Sequence, residues 1–130
     1  MKRLAPVALV LLFGCATGAT QVQRDEIQRT VPTCSSGADC DAKWKAAQVW
    51  ITKNLRLRLQ IATDVVLATN TGDEVSAYTA AYVTKEPLRG ATYRILAKMS
   101  CPNLFRCFPP IGEATLGFNR YVNAASAPKD

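Results

Sequence analysis

The chain has 130 residues and a formal net charge of +6. Without its first 14 residues, which include Lys2 and Arg3, about 116 remain with a surplus of +4, enough for one domain with a modest core and too few for two. So small a surplus is no nucleic-acid signature by itself, and the complete absence of histidine removes the commonest general base, the Ser-His-Asp triad and most zinc catalysis.

Residues 1–14 read as a signal peptide. Lys2 and Arg3 form a positive n-region, and Leu4 to Phe13 is apolar but only about half the length of a spanning helix, so the segment suits removal rather than anchoring. Leu12-Phe13-Gly14-Cys15 resembles a bacterial lipobox, with a branched apolar residue three places before the cysteine and a small one directly before it. Cys15 is then the mature first residue and the site of lipidation. The bland alternative is an ordinary secretory signal in which Cys15 has no special role. Each buried methylene of an acyl chain contributes about 0.8 kcal/mol, so a multiply acylated protein stays on its bilayer where a singly acylated one leaves. In Gram-negative bacteria an Asp after the lipidated cysteine resembles an inner-membrane retention mark. Ala16 stands there instead, and the expected location is the outer membrane, facing the periplasm.

With Cys15 assigned to lipid, four cysteines remain in an exported chain, where paired thiols become disulfides. Five residues separate Cys34 from Cys40 and Cys101 from Cys107, and short loops close at least entropic cost. These two pairs are therefore favoured, each contributing about 2.4 kcal/mol by the chain-entropy estimate. The other two pairings, which join the first helix to the last strand, stay open. A four-thiolate zinc site usually shows C-x2-C knuckles, and neither pair has that spacing. No cofactor or metal is expected.

In chain order, residues 15–33 combine Thr, Gln and charge without periodicity and read as the lipidated cysteine and a flexible tether, with an r.m.s. span of roughly 20 to 25 Å. A single disulfide-stapled domain is expected over 34–125 and a disordered tail over 126–130. Ser36-Gly37-Ala38-Asp39 fits a capping box, and a helix follows to about Lys53. Trp44, Ala47, Gln48, Ile51 and Leu55 make its buried stripe, with Lys43, Lys45 and Lys53 off it. Asn54 tolerates the left-handed conformation that ends helices.

From Leu55 to Thr69 the period changes to two, a half-buried strand long enough to predict a bend or bulge near Thr63-Asp64. Asn70 to Asp73 forms a turn, Val75 to Thr84 a second strand carrying Tyr78 and Tyr82, Glu86 to Gly90 another turn, and Ala91 to Met99 a third strand. A stapled loop occupies Cys101 to Pro110. Ala114, Phe118, Tyr121, Val122 and Ala125 then space out a short amphipathic helix weakened by Gly117. The expected fold is α+β in two layers: helix-strand-strand-strand-helix, a three-stranded antiparallel meander with both helices on one face.

One set of residues forms a recognisable pattern: Cys34, Ala38-Asp39-Cys40, Lys43-Trp44, Trp50, Thr63-Asp64, Val83-Thr84-Lys85-Glu86-Pro87, Tyr93-Arg94-Ile95, Cys101, Asn103, Phe105, Cys107 and Phe118-Asn119-Arg120-Tyr121-Val122-Asn123. It resembles a family of short, uncharacterised proteobacterial lipoproteins, over the region from Cys34 to about Ala124. The resemblance implies a lipoprotein with a small four-cysteine α+β domain and carries no catalytic residues. Arg106 departs from it, standing where Gly is expected.

Chemistry-bearing candidates are few. Lys98 and Ser100 lie two apart on one strand, the spacing of a Ser-Lys dyad, although a surface lysine beside a strand-end serine is the commoner arrangement. Asp64 is a lone acid that turn chemistry explains. The element order on a basic chain suggests double-stranded RNA-binding domains, but Gly112-Glu113-Ala114-Thr115 offers an acid where those domains place lysines. No nucleic-acid partner is expected. Arg56, Arg58 and Arg94 would line the open face of the meander and suit lipid phosphate, an anionic glycan or an acidic protein, against the plainer reading of a solvated strand face. Trp50 sits roughly 120° from the middle of the helix stripe, as an exposed anchor for a partner or packed under the Cys101–Cys107 loop. Together these point to a non-enzymatic envelope lipoprotein, bound to the membrane through its N-terminal lipid and contacting another envelope component. The alternative is a periplasmic enzyme inhibitor or immunity-type lipoprotein using the stapled loop as a plug.

Overall fold

In the computed structural model, which describes residues 18–35, 37–73 and 75–126, ordered structure begins well before Cys34. The signal peptide, Cys15, the N-cap position Ser36 and tail residues 127–130 lie outside the described residues. Thr20 caps α1 (Gln21–Arg29): its hydroxyl accepts the Gln23 N–H at 3.2 Å while the Gln23 side chain accepts the Thr20 N–H at 3.0 Å, two otherwise orphaned donors satisfied reciprocally. The segment 15–33 is therefore not a tether over most of its length. Its helix buries no residue and docks through polar groups instead. The Asn119 side-chain amide donates to the Ile27 carbonyl at 3.2 Å and the Thr30 hydroxyl at 3.1 Å, and that of Asn123 donates to the Thr30 carbonyl at 2.8 Å. Beyond it Pro32 is buried, and β1 (Thr33–Cys34) pairs antiparallel with Arg94 and Tyr93.

The second helix, α2 (Gly37–Asn54), buries Trp44, Ala47 and Ile51 from the expected stripe, with Leu55 just beyond it, and Cys40, Ala46 and Trp50 as well. Gln48 is only half-buried. Asn54 ends the helix by donating its side-chain amide to the Trp50 carbonyl at 2.9 Å, and no described non-glycine residue adopts positive φ.

The long alternating run is two strands. β2 (Leu59–Ala62) and β3 (Val66–Thr69) pair antiparallel. Between them the Thr63 hydroxyl accepts the N–H groups of Val65 and Val66 at 3.3 and 3.0 Å, so the expected bend is a full reversal. A bulge between Leu59 and Ile61 turns Ile61 outward. β4 (Ala80–Arg89) runs on through Glu86-Pro87-Leu88, and the turn into β5 (Thr92–Ser100) falls at Gly90, whose φ of 54° suits glycine. The described sheet is antiparallel, five strands in the order β1-β5-β4-β3-β2, rather than a three-stranded meander.

The third helix, α3 (Ile111–Ala124), closes the core. Leu67, Ala81, Val83 and Ile95 from the sheet meet Trp44, Ala47, Trp50 and Ile51 of α2 and Ala114, Phe118 and Val122 of α3. Phe118 stands edge-on to Trp50, centroids 5.6 Å apart and planes at 90°, the geometry the ring quadrupoles favour. The opposite face of the sheet, with Ile61, Tyr82 and Lys98, stays exposed. Among the described residues no helix is long and apolar enough to cross a membrane.

Two substitutions in α3 move stability in opposite directions. Phe118→Ala removes a fully buried ring and lowers unfolding free energy by about 3–5 kcal/mol. At Gly117 an added Cβ would meet the Trp50 ring at 3.6 Å, an ordinary contact, so Gly117→Ala raises stability by up to about 1 kcal/mol through helix propensity. Urea denaturation of the oxidised protein reads both, and equal loss at the two positions would mean that α3 does not pack as described.

Candidate functional site

The most constrained irregular segment follows β5. Cys101 and Cys107 are joined, with Cα atoms 6.2 Å apart, and Cys34 is joined to Cys40 at 5.0 Å. Within the first of these loops the Asn103 side-chain oxygen accepts the N–H groups of Phe105 and Arg106, both at 2.9 Å, and its amide donates to the Val75 carbonyl at 3.2 Å. An Asn thus supplies the turn where a glycine was expected at Arg106. The loop's base is tied as firmly. Phe108 N–H donates to the Ala77 carbonyl at 2.7 Å, Thr79 N–H to the Phe108 carbonyl at 3.0 Å, and the buried Thr79 hydroxyl to the Pro109 carbonyl at 2.5 Å.

This rigid base holds an apolar tip in water. Phe105 is 85 % exposed, Val22 80 %, Leu104 78 % and Val75 75 %, while the next large apolar side chain, Val65, is at 52 %. Their backbones lie toward one end of the molecule: the Val75 carbonyl accepts from Asn103, and Gln23, next to Val22 in α1, lines a shallow recess with Gly18, Phe105, Arg106 and Glu113. Behind the tip, Tyr78 and Phe108 are bridged neighbours, with the Arg56 guanidinium 5.4 Å over the first ring and that of Arg106 5.2 Å over the second. Such stacking contributes about 0.5–1 kcal/mol per pair at exposed positions and holds each cation in place. Among the described residues neither guanidinium has an ion-pair partner. Among the described residues the assembly pairs no nucleophile with a base; it is apolar surface bordered by the two stacked guanidinium groups and by Glu113.

The residues singled out from sequence are not gathered in one place. Trp50 is no exposed anchor: it is 6 % exposed, because α3 crosses that side of α2 and places Phe118 and Gly117 against the indole. Nor do the three arginines form one patch. Arg94 lies near the β4–β5 turn, its Nε 2.7 Å from the Glu86 carboxylate. Arg58 precedes β2 at the far edge, its carbonyl accepting the Asn70 N–H at 2.9 Å at the opposite end of the strands. Two further strands separate the charges that a meander would have set side by side. Arg56 alone joins a cluster. Lys98 and Ser100 share the open face without a hydrogen bond between them, and Asp64 is exposed in the β2–β3 turn, whose side-chain hydrogen bonds come from Thr63. Leu104 and Phe105 were readable as a tip, since two large apolar residues inside a seven-residue disulfide ring have little room to be buried. No family model, curated protein or solved structure matches the chain.

The Glu86 carboxyl is held below its ordinary pKa. The hydrogen bond from Arg94, followed by one from the Thr84 hydroxyl, lowers its pKa below the ordinary 4.5. A lowered folded-state value favours the ionised form, so the stabilisation is complete above the ordinary carboxylate range and is lost as pH falls through the lowered value. Arg94→Ala should return the Glu86 carboxyl toward 4.5, as followed by carbon NMR titration. An unmoved titration would show that the pair is not formed in solution.

Proposed function

We propose that this protein is a lipid-anchored component of the bacterial cell envelope, held through acyl chains on Cys15 at the periplasmic face of the outer membrane and acting by contact with another envelope component rather than by catalysis. The observation that carries the reading is the pair of short-range disulfides, bonds that persist outside the reducing cytosol, in a chain whose residues 1–15 resemble a lipoprotein signal. Contact is suited by the uncovered face of the sheet, where Ile61, Tyr82 and Leu88 are about half exposed and the Glu86–Arg94 pair adds polar specificity. The firmly tied loop with its protruding Leu104-Phe105 favours a second reading, an inhibitor or immunity-type lipoprotein that presents the loop to an enzyme.

Two measurements bear on this. Mass spectrometry of protein from its native host should find residues 1–14 removed, Cys15 carrying acyl mass and no free thiols. An intact Met1, or a bare Cys15, contradicts the anchored reading. In-cell crosslinking from residue 82 on the sheet and residue 105 on the loop then separates the two modes of action: capture of a structural envelope component from the sheet supports the first, and capture of a secreted hydrolase from the loop supports the second.

A further inference from the structure

Resting on the lipid-anchored reading, we propose that the Cys101–Cys107 loop is a second foothold on the same bilayer, with Leu104 and Phe105 entering the interface beside Val22 and Val75, and Arg56 and Arg106 engaging lipid phosphate. The four large apolar side chains most exposed to water belong to segments at one end of the domain, while those exposed elsewhere, Val65, Tyr82, Ile61 and Leu88 among them, are at 52 % or less. Soluble surfaces carry such residues singly, and a cluster of them marks something that covers it.

What covers it follows from where the described chain begins. Gly18 lines the recess shared by Phe105 and Arg106, and only three peptide steps separate it from Cys15. Three residues reach at most about 11 Å when fully extended, comparable to the roughly 5–10 Å depth at which interfacial apolar groups sit. Acyl chains on Cys15 therefore bring their bilayer to within reach of the loop's tip. No separate partner has to be found for the tip, because its proximity to lipid is built into the chain.

The chemistry of the surroundings matches a phospholipid surface. Both guanidinium groups are held over rings and lack carboxylate partners among the described residues, which leaves their planar donors for phosphate oxygens. Tyr78, 40 % exposed, has the amphipathic ring enriched at headgroup depth. Glu113 borders the same recess, so the surface is mixed and fits a bilayer rich in phosphatidylethanolamine, whose ammonium group an acid can face. The loop is already fixed by its disulfide and by Asn103, so little conformational freedom remains to be lost on insertion. Docked this way, β5 brings the chain toward the membrane over nine residues, about 30 Å, and the β4–β5 turn at Gly90 faces the periplasm.

Phe105→Trp in the full-length protein, processed in a Gram-negative host, extracted and reconstituted into phosphatidylethanolamine–phosphatidylglycerol vesicles, tests this directly. The native Trp44 and Trp50 are each 6 % exposed and supply a constant background measured on the unsubstituted protein. Emission from the introduced indole should shift to the blue, lose most of its intensity to acyl-brominated lipid and become shielded from aqueous acrylamide. Leu104→Trp should behave in the same way, and neither exposed position should disturb folding. Lipidated protein whose loop indole stays water-like overturns the foothold while leaving the anchored reading intact. A loop indole that is water-like in vesicles yet shielded in whole envelopes assigns the loop to a protein partner and also overturns it. A bare Cys15 in the same preparation, found by mass spectrometry, overturns both.

Discussion

Phe118 standing on edge against Trp50 is the contact on which the arrangement of layers depends. A sheet of this size must cover one face, and α2 alone leaves part of that face bare. The inner side of α3, with Ala114, Phe118 and Val122, completes the cover. Asn119 and Asn123 meanwhile receive α1. Gly112 allows that close approach, since a Cβ there would run into the Gln23 carboxamide. Without α3 in register the first helix has nothing to lean on, and the chain before Cys34 reverts to a tether.

From that contact the molecule acquires two unlike ends. One holds the Cys34–Cys40 bond, the β2–β3 reversal and the β4–β5 turn, where Lys85 lies over the rings of Trp44 and Tyr93. The other gathers the start of α1, the start of α3 and the Cys101–Cys107 loop with its apolar tip. Because α1 is docked, the point at which the described chain begins is fixed beside that tip. In this reading the position of the anchor, the exposed hydrophobic residues and the unpaired guanidinium groups are consequences of one packing arrangement.

Much of this was written plainly in the sequence. The spacing of Trp44, Ala47, Ile51 and Leu55 marks α2 because apolar burial at intervals of three and four needs no partner to be recognised. The two cysteine pairs were legible from loop length alone. Trp50, read as either an exposed anchor or a side chain packed under the stapled loop, is buried against α3 because α2 is covered on two sides, by the sheet and by α3, so its buried stripe is broader than one face. The helix α1 was invisible for the opposite reason: it docks through its own backbone carbonyls and a threonine hydroxyl, and nothing in its apolar pattern records that. Period-two alternation from Leu55 to Thr69 runs unbroken across a reversal made by Thr63, so two strands read as one. All three arginines are exposed, but Arg56 and Arg58 precede β2 instead of lining the sheet face, and which charges are neighbours is a matter of register, which a single chain does not announce.

Residues 21 to 30 belong to the folded body and lie against α3. Hydrogen exchange of the mature, oxidised protein measures this most directly. The amides of Arg24 and Thr30, whose N–H groups bond to the carbonyls of Thr20 and Glu26, are expected to exchange far more slowly than in the isolated segment and to lose that protection together when Asn119 and Asn123 are both replaced by alanine. Exchange at free-peptide rates in the intact protein would show that this stretch is a tether after all, and the geometry linking Cys15 to the loop would be lost with it.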